Sequence, residues 1–284
     1  MQTAIAIPNR LTDQSVLPFP TVPLQQCVID ASHLEWVEPT GLVQLVLLLH
    51  RAVELSTHVT FVAPDGYELG HYLARMGFYE RIPQSVTRQN AIDPKSVRRR
   101  SNCDVLVTVR GFKTDGDVED LMADLAKFLQ RMVVDNVITG RIFSTLAAAI
   151  PELAGNAASH AASPCGGFIA AQSYRRGSYL AVGDLGMGIR RHLTRNPRWS
   201  YLVSDEEAIK KALEPGVSGT ADRRGYGYDY VLDELEQTAG AELFIRSGYG
   251  WVKTAVTKSG RKRTSGTDPG VEYPGTLIQL LVRS

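Results

Sequence analysis

Apolar and polar positions alternate along the first third of the chain with an α/β rhythm. Cys27-Val28-Ile29-Asp30 is a short apolar run of strand type, and His58-Val59-Thr60-Phe61-Val62 is a second, β-branched and aromatic. Between them, Gly41 to Leu55 is apolar on nearly every side, which predicts a buried helix. Pro64-Asp65-Gly66 marks a turn, and Tyr67 to Met76 has helical spacing closed by Gly77. Strand, helix, strand, helix predicts a small sheet covered by helices. From Gln84 to Asn102 the chain turns polar and carries Arg98-Arg99-Arg100, which predicts a loop or linker. Two domains are expected, residues 1–102 with the linker and residues 103–284.

In the second part, Asp104 to Arg110 alternates as a strand. Asp117 to Val134 places Val118, Leu121, Met122, Leu125, Phe128 and Leu129 at helical spacing, and Arg141 to His160 predicts another helix. Five strands are expected at Gly167–Tyr174, Ser178–Asp184, Ala241–Arg246, Trp251–Thr257 and Thr276–Val282, with one long helix from Gly227 to Thr238. Lys258 to Arg263 contains Gly260 and reads as the cap of an exposed hairpin. Like the arginine triplet, it is better taken as a solvated charge run than as a nucleic-acid contact.

Composition narrows the classes. Of 284 residues, 44% are hydrophobic and 21% charged, enough apolar material to exclude a mostly disordered chain. Lys and Arg number 31 against 30 Asp and Glu, so the net charge of +1 gives no global pull toward nucleic acid or an anionic membrane. Cys27, Cys103 and Cys165 stand far apart, which argues against a thiolate zinc site and a disulfide scaffold and suits a reducing compartment. The N-terminal MQTAIAIPNR lacks the pattern of a secretory signal. The apolar run Leu42 to Leu49 falls short of the ~20 residues that span a bilayer. A cytoplasmic location is expected.

Four blocks carry candidate chemistry. Glu152, Asn156 and His160 stand at i, i+4 and i+8, in line on one helical face, with small residues between them. A carboxylate and an amide so placed can hold a water and a metal-bound phosphate, although a solvent-facing polar stripe has the same spacing. Val182-Gly183-Asp184-Leu185-Gly186-Met187-Gly188-Ile189 puts an aspartate at a strand end before alternating glycines. Such a turn lets a planar base approach the backbone while the carboxylate accepts from an exocyclic amine; an ordinary strand–turn–helix reads the same way. Arg223-Arg224-Gly225-Tyr226-Gly227 leads into a helix, whose N-terminus offers unpaired N–H groups to phosphates, unless the segment is only a surface loop. Pro274-Gly275-Thr276 opens the last apolar strand.

Taken in this order, the blocks resemble the GHKL superfamily of ATP-binding domains over roughly Thr114 to Ser284. The resemblance implies a Bergerat-fold α/β sandwich that binds ATP with Mg2+. It assigns Asn156 to the metal and Glu152 to the general base of hydrolysing members. Asp184 and Thr276 would read the adenine, Gly186 and Gly188 form the first glycine box, and Gly225 and Gly227 form the second. Phosphate contacts fall to Arg223, Arg224 and backbone, since no lysine precedes Gly225. His160 follows the asparagine at a spacing seen in anti-sigma-factor-type members, where a structural role suits it best. Tyr226 and Tyr228 stand where small or aliphatic residues are common, and the lid from Ile189 to Gly225 is short.

The N-terminal third, Val28-Ile-Asp-Ala-Ser followed by Val37-Glu38-Pro39-Thr40-Gly41-Leu42 and the helix, resembles a small STAS-like domain, the anti-sigma-factor-antagonist module. Phosphorylated members carry a serine after an acidic residue at this helix start. Here Pro39 holds that position and Thr40 is at most an off-register acceptor. The combined resemblance implies a bacterial regulatory ATPase or switch acting on a protein partner, such as an anti-sigma or related factor. An anti-sigma-type protein serine/threonine kinase and a non-catalytic, nucleotide-gated interaction module remain open. GHKL relatives often dimerise, so a homodimer is also implied, whereas nucleic acid and membrane partners are not. A histidine autokinase is disfavoured, because Asp117 to Ile150 contains no histidine.

Overall fold

A computed structural model describes residues 2–97, 105–134, 138–175, 177–218, 227–236, 240–257 and 259–283. The chain opens with β1 (Gln2–Ala6), β2 (Arg10–Leu11), β3 (Leu24–Asp30) and β4 (Trp36–Val37), followed by helix α1 (Pro39–Leu55). Next come β5 (Ser56–Val62), α2 (Tyr67–Arg75) and β6 (Thr87–Gln89). The second part runs β7 (Val105–Phe112), α3 (Asp115–Val134), α4 (Gly140–His160), β8 (Gly167–Tyr174), β9 (Gly177–Asp184), α5 (Ile189–Leu193), α6 (Asp205–Ala212) and α7 (Gly227–Glu236). It closes with β10 (Glu242–Gly248), β11 (Gly250–Thr257), β12 (Gly260–Thr267) and β13 (Tyr273–Val282).

The fold is mixed α/β. A four-stranded parallel sheet has the order β1-β3-β5-β6, with β2 and β4 forming a separate parallel pair. A seven-stranded antiparallel sheet has the order β12-β11-β10-β13-β9-β8-β7. Among the described residues no helix is long and apolar enough to cross a membrane.

The central strands of the large sheet are buried on both faces. On one face Ile169, Leu180, Val182, Ile278 and Leu280 pack with α3, α4 and α7. On the other, Phe168, Ala170, Ala181 and Leu277 join a core built from the N-terminal part of the chain. This explains why β8, β9 and β13 read as continuous apolar runs rather than with the one-sided alternation of a half-solvated antiparallel sheet. Helix α1 fills the space between the two sheets, touching β3 and β5 on one side and β8, β9 and β13 on the other. Every residue from Pro39 to Leu49 is buried, which is why the helix is apolar all round. Pro39 occupies the first turn, where a missing N–H costs nothing.

Polar contacts fix the N-terminal part to the sheet. Tyr72 donates its hydroxyl to Gln172 at 2.6 Å, and the Val109 N–H donates to the Met76 carbonyl at 2.8 Å. Arg246 donates to the Ser15 carbonyl at 3.0 Å and pairs with Asp268 at 2.6 Å.

Several expectations need correction. The stretch read as a linker contains β6, which pairs with β5 in parallel, and a 3-10 turn at Pro94–Ser96. The arginine triplet lies outside the described residues. The run from Lys258 to Arg263 does fall at the tip of an exposed hairpin, where β11 and β12 meet with Thr257 opposite Gly260, but Arg261 to Arg263 run on along β12, the edge strand of the large sheet, whose residues are mostly exposed. The segment read as a short lid holds α5, a 3-10 turn at Pro197–Trp199 and α6, so most of it is folded against β10 and β11.

Candidate functional site

Helix α4 supplies one wall of the site. Its N-cap Thr139 accepts the Ile142 N–H, and Pro151 within it has no N–H to give the Ala147 carbonyl. Past that point the helix presents Leu153, Asn156 and Ala157 to a cavity. The opposing floor is formed by β9 and β13, where Asp184 pairs with Thr276 and Val182 with Ile278. Because side chains alternate along a strand, Val182, Asp184, Thr276 and Ile278 all face this cavity. α5 contributes Ile189, His192 and Leu193, the segment after α6 contributes Val217 and Ser218, and α7 contributes Tyr228. The cavity holds about 780 Å³ of empty space, counting the part open to solvent.

Asp184 is the chemical centre. Only 4% of it is exposed, and burial pushes its carboxyl up to about 7, against the pull of hydrogen bonds from the Gly186 and Thr276 backbone. The Gly186 N–H donates to Asp184 Oδ1 at 2.7 Å. Tyr228 also lines the cavity, and its phenol is held above its usual range by burial and by the nearby Asp184 charge.

The glycine-bearing loop after β9 is held from two sides. The Met187 N–H donates to the Ala161 carbonyl at 2.8 Å, pressing the loop against the end of α4. A Cβ at Gly186 would lie 2.1 Å from that same carbonyl oxygen, so the close approach requires glycine. From the other side, Ser247 Oγ accepts the Ile189 N–H at 2.9 Å and donates to the Gly275 carbonyl at 2.8 Å. One buried hydroxyl on β10 thereby ties the loop to the start of β13. Gly275 has a φ of +114°, and a Cβ there would lie 2.2 Å from the Asp184 carbonyl oxygen.

The folded part of the lid is anchored too. Ser204 and Glu207 form a capping box on α6, and Arg190 pairs with Asp205 at 3.0 Å. Trp199 Nε1 and Asn196 Nδ2 both donate to the Ser218 carbonyl, at 3.0 and 3.3 Å.

Of the residues singled out in the sequence, Asn156, Asp184, Gly188 and Thr276 meet at this one cavity. Gly186 shapes the loop without lining it, and Glu152 lies half-buried on α4 one turn before Asn156. Gly227 opens α7. Arg223, Arg224, Gly225 and Tyr226, and the His160 side chain, lie outside the described residues. Sequence reasoning missed His192, Ser247 and the aliphatic wall, and it left Tyr228 without a role. Among the described residues no three His, Cys, Asp or Glu side chains cluster to hold a metal by themselves.

Comparison with known proteins finds no family that matches the chain and no curated protein that matches it.

Proposed function

We propose that the chain is a GHKL-type regulatory ATPase of Bergerat fold, with a STAS-like N-terminal domain, that binds Mg-ATP in this cavity. The observation that carries the reading is convergence. Asn156, Asp184, Gly188 and Thr276 come from three blocks spread over more than a hundred residues of chain, and they line one pocket, which supports the roles that the resemblance gives them. The pocket fits an adenine. A carboxyl shielded from water stands at its floor, Val182, Ile189 and Ile278 make flat apolar walls, and Gly188 leaves bare backbone at its edge. An apolar pocket with few placed polar groups is what a planar heterocycle needs for both affinity and orientation.

In this reading Asp184 accepts from the exocyclic amine, with Thr276 beside it. The Asn156 carboxamide would hold magnesium, a cation that takes oxygen ligands. Magnesium supplies charge neutralisation on the phosphates. Glu152 takes the proton of the attacking water. The N-terminus of α7 at Gly227 would offer N–H groups to phosphate, and Arg223, Arg224 and Gly225, which precede it in the sequence, would add to that site. The product of this cycle is a change of nucleotide state that a protein partner, such as an anti-sigma or related regulatory factor, would read.

Thr40 bears on the kinase alternative. It is fully buried, and its hydroxyl donates to Gln279 on β13. A kinase reading therefore needs an acceptor on another protein, because the off-register acceptor in cis is sealed against the large sheet.

The test is release of labelled phosphate from γ-labelled ATP with magnesium, by wild type and by Glu152→Ala. Turnover by wild type, with at least a ~100-fold loss in Glu152→Ala and ATP affinity retained, is the expected result. Equal turnover by both would remove Glu152 from the base role. Failure of wild type to bind ATP at millimolar concentration, read as no rise in the melting midpoint, would overturn the nucleotide reading.

A further inference from the structure

The two strands that floor the cavity have a second face, and α1 lies on it. In β9, Val182 and Asp184 point to the cavity, so Gly183 between them points to α1. Gly183 has no side chain, and the helix comes down onto bare backbone. A Cβ built at Gly183 would lie 2.9 Å from both Val43 Cγ1 and Leu47 Cδ1. In β13 the same alternation turns Leu277, between the cavity-lining Thr276 and Ile278, and Gln279, just after them, toward the N-terminal part. Thr40 Oγ1 donates to Gln279 Oε1 there. Thr40, Val43 and Leu47 stand at i, i+3 and i+7, one stripe of α1. That stripe runs along the underside of the backbone that holds Asp184 and Thr276.

We propose that α1 is the positioning element of the nucleotide pocket, so that the N-terminal domain and the nucleotide site are energetically coupled through Gly183. The inference rests on the nucleotide reading above. The pocket floor is a single layer of backbone, and Val43 and Leu47 meet it in direct contact. A movement of α1 at Gly183 therefore passes directly to the β9 backbone that carries Asp184, with the Leu277 side chain of β13 packed beside the contact. Coupling of this kind is reciprocal: if α1 sets the geometry of the base readers, occupancy of the pocket must in turn steady α1. A partner that pulls on the N-terminal domain would then change nucleotide affinity without touching the nucleotide.

The test uses the full chain with ATP and ITP, each with magnesium. ITP replaces the exocyclic amine with a carbonyl and so reports on Asp184 geometry. Wild type should prefer ATP. Gly183→Ala, which pushes α1 away from β9, should lose about tenfold in ATP affinity and much of the ATP-over-ITP preference. A purely structural defect would lower the melting midpoint and leave that preference intact. Hydrogen exchange on wild type is the second measurement, independent of whether the variant folds: Mg-ATP should slow exchange of the α1 amides around Val43 to Leu47.

An ATP-to-ITP preference in Gly183→Ala within about twofold of wild type would overturn the coupling, since that is inside the range of non-interacting sites. So would α1 exchange unchanged by Mg-ATP. If wild type takes up neither nucleotide, the nucleotide reading itself fails and the coupling falls with it. If wild type takes up ATP and either reversal is seen, the coupling alone is wrong.

Discussion

Asp184 sits at the end of β9 with its carboxyl out of water, where ionisation costs more than in the unfolded chain. Its folded value of about 7 lies above the ~3.9 of an unfolded aspartate. Between those values the native chain keeps a proton that the unfolded chain has released, so stability falls as pH rises. The contribution of this group is fully present below the unfolded value and lost through about 7. Asp184→Asn stays neutral at every pH. It should therefore melt above wild type at neutral pH, with the gap closing as pH falls toward 4, in thermal unfolding followed across that range. Binding runs the other way. The ionised carboxylate accepts from an amine more strongly than the protonated one does, so ATP affinity in titration calorimetry should weaken below about pH 7, with protons released to the buffer on binding. The same substitution should cost ATP on the order of 10–100-fold in affinity, the worth of a hydrogen bond to a charged group. The aspartate and its glycines were legible as a motif. Ser247 was not, because nothing local marks a serine near a strand end as the bridge between Ile189 and Gly275.

At the scale of elements, strands and helices with strong periodicity were read correctly, and α1 was recognised as buried from its all-round apolar pattern. What buries it was not legible, since an apolar helix surface carries no record of which sheet covers it. β12 escaped because Gly260 to Thr267 contains no large apolar residue; its pairing with β11 rests on the backbone ladder. α6 was missed despite a written signal, the Ser204 and Glu207 capping box. Gly275 at the start of β13 and Gly270 in the loop before it provide a test of close approach. Gly275→Ala would force a Cβ against the Asp184 carbonyl at a φ that L side chains rarely adopt. It should cost about 3 kcal/mol or more in urea unfolding. Gly270→Ala, with nothing within 4 Å of its Cβ, should stay within about 0.5 kcal/mol of wild type.

Among the described residues the two larger sheets share one helix, α1. The expected division near residue 102 separates two sets of strands, but it does not separate two cores. Phe168, Ala170, Ala181 and Leu277 of the large sheet belong to the core that includes α1. Residues 103–284 expressed alone would expose that face to water. They should aggregate, or bind a hydrophobic dye and elute as a mixture, in size-exclusion chromatography, whereas the full chain should not. A folded, monodisperse fragment would contradict this account of the core. The same covering bears on assembly: a homodimer would have to use a surface other than the central face of the large sheet.

β12 ends that sheet with an open ladder of N–H and C=O groups, and Arg261, Lys262 and Arg263 stand along it. Arg261 is tied back to Asp233 and Glu236 on α7, while Lys262 and Arg263 face water. Two copies approaching edge to edge would bring these cations together before any ladder could form. The basic run, read from the sequence as a solvated charge run, thus acts as a guard on colloidal stability. Because the guard is electrostatic, it weakens as salt shortens the reach of its charges, to about 3 Å at 1 M. Concentrated salt is therefore the condition in which copies of this chain would first be able to meet edge to edge at β12.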